Sequence, residues 1–239
     1  QNLAPLQDQI FSRVDEEITV ILYLRRLSDF LESDYKQKAK NGKARVKPAQ
    51  YASHHLRLME TAPDFFDFSA MERQIVSALP SACVLPRLFS RVDLVGGDIV
   101  TDFLSLFGID KACVNPEETV FNRSLSRVAA EALGLFLGKD VGVNKLHHRR
   151  MDVALLNSQV DDFSGKGDVL LFEEARALDE MLEVRNASFR AKHFPDRDRL
   201  FTPLEQPKIL TLTRGHPSEL DRHAAAVREL LRIKAKLDF

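Results

Sequence analysis

A near-continuous apolar run, Glu17-Ile18-Thr19-Val20-Ile21-Leu22-Tyr23-Leu24, ends abruptly at Arg25-Arg26 and passes at once into helix-forming sequence. A β-branched run without polar alternation predicts a strand buried on both faces, as in a parallel sheet. Ser28-Asp29 then offers an N-cap and a first-turn acid, a helix runs to about Asn41, and Gly42 is its stop.

The remainder of the chain extends this α/β pattern. Ile10 to Val14 closes a short N-terminal helical segment, Ser69 to Leu79 reads as a helix stopped by Pro80, and Cys83-Val84-Leu85 as a second short strand leading to Pro86-Arg87-Leu88-Phe89. Gly96-Gly97 is a turn. Asp98 to Phe107 is amphipathic, with Ile99, Val100, Phe103, Leu104 and Phe107 on one side and Gly108 as C-cap. The second half is mostly helical. Leu125 to Leu137 carries Val128, Ala132, Leu133 and Phe136 at helical spacing. Glu173 to Lys192 carries Leu178, Leu182 and Phe189. A last helix after Ser218 and Asp221 turns Leu220, Val227, Leu231 and Ile233 one way. Strands alternating with helices favour α/β over all-α. Two clear strands are few for a doubly wound sheet, which predicts that part of the sheet is missing.

Composition bounds the function classes. The 239 residues are 44% apolar and 29% charged, ordinary for one globular domain of this length. Lys plus Arg is 34 and Asp plus Glu is 35, so the net charge of −1 argues against a general nucleic-acid binder. Cys83 and Cys113 have no CxxC partner and read as buried or half-buried thiols in a reducing, cytoplasmic compartment. No apolar run approaches the ~20 residues of a membrane span. The start, Gln1-Asn2-Leu3-Ala4-Pro5, shows no signal peptide and no initiator Met, as a trimmed chain would.

The junction at Leu24–Arg25 carries the chemistry. In open parallel sheets ligands bind beyond the C-terminal ends of strands. Arg25 stands there, and Ser33, eight residues on, lies about one and a half turns into the helix with its side chain tilted toward the helix N-terminus. A guanidinium fork, a hydroxyl and a helix dipole suit a phosphate. The alternative is an Arg25 paired with a carboxylate and a merely solvated Ser33.

Leu22-Tyr23-Leu24-Arg25, the eight-residue step, and Ser33-Asp34-Tyr35 resemble the donor-binding segment of sulfotransferases. The likeness extends through Cys83 to Leu94, the Asp102 to Ile109 stretch with its Phe103-Leu104-Ser105-Leu106-Phe107-Gly108-Ile109, Asn122 to Ser126, Arg185-Asn186-Ala187-Ser188 and Arg199-Leu200-Phe201. These look like the bacterial, carbohydrate-related branch. The resemblance implies a single domain over residues 1–239. It would have a partial P-loop NTPase-like parallel sheet flanked by helices and a mostly helical C-terminal half. It implies transfer of a sulfuryl group from 3'-phosphoadenosine 5'-phosphosulfate (PAPS) to a hydroxyl of a carbohydrate or polysaccharide, with Arg25 and Ser33 on the donor's ribose phosphate, no metal and no nucleic acid.

The family's opening strand and phosphate loop are missing from this sequence. Gly134-Leu135-Phe136-Leu137-Gly138-Lys139-Asp140 is one residue short of a Walker-type loop and has Asp where Ser or Thr is needed, and Gly165-Lys166-Gly167 is a surface turn or a basic loop over the donor. The chain therefore reads as a sulfotransferase lacking its N-terminal strand and loop, either truncated or with activity lost. A non-catalytic, partner-binding remnant on the same fold and a nucleotide-sugar glycosyltransferase are the alternatives. The adjacent pairs His54-His55 and His147-His148 point about 100° apart if helical, against a shared metal. His54 is the one nominee for a base toward an acceptor hydroxyl. Six basic residues between Lys36 and Lys47, with no acid among them, form a solvated face or steer an anionic donor or glycan.

Overall fold

The computed structural model describes residues 18–44, 46–110, 124–139, 169–205 and 217–236. The N-terminal helical segment, Cys113, Asn122-Arg123, Asp140, His147-His148 and Gly165-Lys166-Gly167 lie outside the described residues. The chain is mixed α/β, mostly helical, and divides into two compact units that exchange the chain several times. Among the described residues, no helix is long and apolar enough to cross a membrane.

The first unit takes residues 18–27, 58–110 and 177–203. Its two strands, β1 (Ile18–Leu24) and β2 (Ala82–Leu88), pair in parallel from Ile18 opposite Ala82 to Leu24 opposite Leu88. The ladder extends one bond further, from the Phe89 N–H to the Leu24 carbonyl at 2.6 Å. Among the described residues the sheet is two-stranded. That fits Pro86, which can donate no ladder bond, and it corrects the expectation of a strand buried on both faces. β1 is half-buried until Leu24, and β2 exposes Cys83 and Leu85. Cys83 is thus an exposed thiol rather than a core one. Only where the strands end, at the partners Leu24 and Leu88, do both become buried.

Helix α1 (Leu27–Lys40) leaves β1, α2 (Pro48–Thr61) comes next, and α3 (Phe68–Ala78) precedes β2. Asp67 caps α3 by accepting from the Ala70 N–H at 2.9 Å. A 3-10 turn at Val95–Gly97, with Gly96 and Gly97 at positive φ, leads to α4 (Ile99–Ser105), capped by Asp98. The helix expected over Glu173 to Lys192 is two helices, α6 (Phe172–Arg185) and α7 (Ala187–His193). The break is Asn186, which is buried with its amide committed sideways. Its oxygen accepts from the Phe68 N–H at 2.7 Å, and its nitrogen donates to the carbonyls of Phe66 (2.9 Å) and Leu182 (3.0 Å). Arg185 adds bonds to the carbonyls of Met59 and Phe65. Together they hold a turn in which Phe66 has a left-handed φ of 54°, costly for a bulky side chain. Phe68 of α3 meets Phe189 of α7 edge to face at 5.7 Å, both buried.

The second unit takes residues 28–57, 124–139, 169–176, 204–205 and 217–236 where described. There α1 buries Leu31, Tyr35 and Ala39 at four-residue spacing and ends at Gly42, with φ 65°. Helix α5 (Arg127–Lys139) is packed closely. A Cβ on Gly134 would stand 3.0 Å from the Ala44 Cβ and 3.1 Å from its carbonyl oxygen, so any side chain there would have to push Ala44 back by a few tenths of an ångström. Helix α8 (Pro217–Lys236) packs on α5 through Ala226, Leu230 and Ile233, while Val227 and Leu231, expected on its inner side, are exposed.

Replacing Asn186 with Ala leaves the Phe68 N–H without its partner and releases the Phe66 turn. A loss of about 1–3 kcal/mol is expected, read as a lower urea midpoint. An unchanged midpoint would show that water or backbone takes over those bonds.

Candidate functional site

The C-terminal ends of β1 and β2 are organised by one carboxylate. Tyr23 and Arg87 face each other across the ladder. Both reach Asp102 of α4. The Tyr23 hydroxyl donates to Oδ2 at 2.7 Å, and Arg87 donates through Nε to Oδ2 at 2.7 Å and through its terminal nitrogen to Oδ1. The Val95 N–H completes the set at 2.9 Å. Asp102 is fully buried, and it is the buried residue of α4. The sequence pattern put Val100, Phe103 and Phe107 on the packed side. All three are exposed, with Phe103 and Phe107 ring to ring at 5.2 Å. An apolar stripe read along a two-turn helix misses a carboxylate that is the better-bonded anchor.

Burial by itself would raise the Asp102 carboxyl. The hydrogen bonds from Arg87, Val95 and Tyr23 outweigh it and hold the group down at about 2. Tyr23 moves the opposite way, to about 12, through burial and its bond to Asp102. Both groups therefore keep one protonation state across the physiological range and act as structure, fixing the residues just past the strand ends.

Those residues are Arg25 and Phe89. The Arg25 guanidinium lies over the Phe89 ring at 5.5 Å, and that ring stands edge-on to Tyr23 at 6.5 Å. Among the described residues Arg25 has no carboxylate partner. Its neighbour Arg26 is instead tied to the Thr202 carbonyl and lies 3.8 Å from Asp179. The adjacent arginines are divided, one bonded to the loop after α7 and one lying over the Phe89 ring at the end of a parallel strand. Phe89, which no sequence motif marks as a site residue, is the platform that orients it. The signal available beforehand was its place directly after the second strand, matching that of Arg25 after the first.

Ser33 is exposed on α1 and belongs to the second unit, whereas Arg25 belongs to the first. His54 is exposed on α2, in the second unit, and borders a cleft together with Lys38 and Lys43 of the basic stretch. Among the described residues, no cluster of three His, Cys, Asp or Glu side chains is placed to hold a metal ion.

Lowering the pH should release the strand ends. The folded Asp102 titrates at about 2, below its ordinary value of 3.8, so its contribution is complete above about pH 4 and is lost as pH falls through about 2. Urea midpoints measured from pH 5 to pH 2 should drop in the native chain and drop less in Asp102→Asn. Asp102→Ala, which strands the Arg87 charge, should cost about 3–5 kcal/mol at neutral pH.

No family model and no solved structure matches this chain. An uncharacterized protein of Archaeoglobus fulgidus is 27% identical over 110 residues, a stretch covering 46% of this chain and 28% of that relative.

Proposed function

We propose that the chain is a sulfotransferase-like domain, a partial P-loop NTPase-like sheet in which Arg25 binds the ribose phosphate of PAPS. The observation that carries this reading is the Arg25 guanidinium, without a carboxylate among the described residues and seated on Phe89 where β1 ends. A guanidinium resting on a ring face keeps its planar fork for two hydrogen bonds to an oxyanion. Parallel strands present their ligands at this end. The reaction transfers a sulfuryl group to a carbohydrate hydroxyl. The acceptor oxygen bonds to sulfur, the bond from sulfur to the donor's 5'-phosphate oxygen breaks, and the acceptor proton passes to a base. Arg25 contributes binding and orientation to that step.

The exposed Val100, Phe103 and Phe107 of the first unit favour a second reading, a partner-binding domain on the same scaffold. Calorimetric titration with adenosine 3',5'-bisphosphate separates the two. The donor reading expects saturable binding that Arg25→Ala weakens about tenfold to a hundredfold, from the ~1.5–3 kcal/mol of a charge-assisted bond. Binding indifferent to Arg25→Ala, or no binding at all, would overturn it, and the latter would leave the partner-binding domain.

A further inference from the structure

The second unit contains a cleft of about 250 Å³ at the junction of α1, the loop after it and α2. Lys38, Lys43, His54 and His55 supply its polar lining, and Tyr35 and Tyr51 its aromatic wall. We propose that this cleft binds a small phosphate monoester, its oxyanion held by Lys43 and His54.

Three observations carry the proposal. The first is the disposition of charge. Asp34, the acid beside the cleft, is already committed: Lys38 Nζ lies 2.5 Å from its Oδ2, and the Tyr51 hydroxyl donates to the same oxygen at 2.6 Å. Among the described residues Lys43 and His54 have no carboxylate partner, and both are exposed. The Lys43 ammonium therefore has no acid of its own among the described residues, while Asp34 is occupied by two donors.

The second observation is rigidity. The Tyr51 ring packs edge to face on Tyr35 at 5.2 Å, and Lys38 lies over it at 5.3 Å. The Tyr35 hydroxyl is fixed by the Val46 carbonyl at 3.1 Å. Burial and the Asp34 bond push the Tyr51 hydroxyl far above its ordinary range, so it stays a donor and keeps Asp34 engaged. The wall is thus set before a ligand arrives, which lowers the ordering cost of binding.

The third observation is the histidine pair. His55 is buried, with Nδ1 at 2.7 Å from the Tyr51 carbonyl. A carbonyl only accepts, so Nδ1 carries the hydrogen. Burial lowers its pKa. Its ring meets His54 at 5.2 Å and 82°, a contact that holds the exposed imidazole at the cleft margin. The volume is just below the ~300–1,000 Å³ of drug-sized ligand sites, which selects a small ligand. Arg25 is not among the residues that line this cleft.

The test is an NMR titration of the whole chain with glucose 6-phosphate at constant ionic strength, following the imidazole carbon-bound proton signals. His54→Gln assigns them. The expected result is a saturable shift of the His54 and His55 signals that glucose alone does not cause. Lys43→Ala, an exposed change outside the packed core, should weaken binding at least about tenfold, while Arg25→Ala leaves it unchanged. No saturable shift, an equal shift with glucose, full affinity in Lys43→Ala, or loss of the shift in Arg25→Ala would each overturn the proposal.

Discussion

The buried carboxylate of Asp102 is the interaction on which the first unit's strand ends depend. A two-stranded parallel ladder has little intrinsic stability, because most of its surface is not buried between other layers. Here the cross-strand partners Tyr23 and Arg87 converge on one side chain of a short helix, and a backbone N–H from the preceding turn closes the set. The cost of burying a charge is offset because the carboxylate is fully bonded. The residues just beyond, Arg25 and Phe89, then leave the sheet from fixed points, so a surface arginine acquires a defined direction.

The same anchor explains where the sequence pattern misleads. The α1 helix was legible because its apolar spacing, its first-turn acid and Gly42 all point to one element. Helix α2 was not, because Pro48 reads as a terminator after a basic stretch although proline is equally suited to begin a helix. In α4 periodicity identified the element and chose the wrong side, since a hydrophobic stripe cannot register a carboxylate whose donors come from Tyr23 and Arg87 on the two strands. The join between α6 and α7 was illegible for a related reason. Asn186 interrupts a helical pattern by bonding to Phe66 and Phe68, more than a hundred residues earlier.

The candidate site was partly readable. The position of Arg25 is set by the strand ending at Leu24, which an abrupt change from apolar to basic residues announces. Which of Arg25 and Arg26 is committed to structure cannot be read the same way, because the deciding partners, Asp179 and Thr202, are distant in sequence. Likewise the basic stretch from Lys36 to Lys47 shows a charge excess, but only the folded unit shows that Lys38 is compensated by Asp34 while Lys43, among the described residues, has no such acid.

A chain with 34 basic and 35 acidic side chains has no global surplus of cations to attract an anion, so the informative quantity is how each one is used. In the first unit Arg26, Arg185 and Arg190 donate to backbone carbonyls, Arg87 and Arg197 to Asp102 and Asp93, and Arg199 to Glu180. Each of those arginines is tied to an oxygen acceptor of the protein. Arg25 differs from them in kind. Among the described residues its contact is with a ring face, which uses none of its N–H groups on a carboxylate. An ion pair would satisfy the guanidinium and close the strand end. A ring contact does not satisfy it in that way, and that choice of partner is the physical basis for proposing Arg25, rather than the arginine beside it, as the anion-binding group.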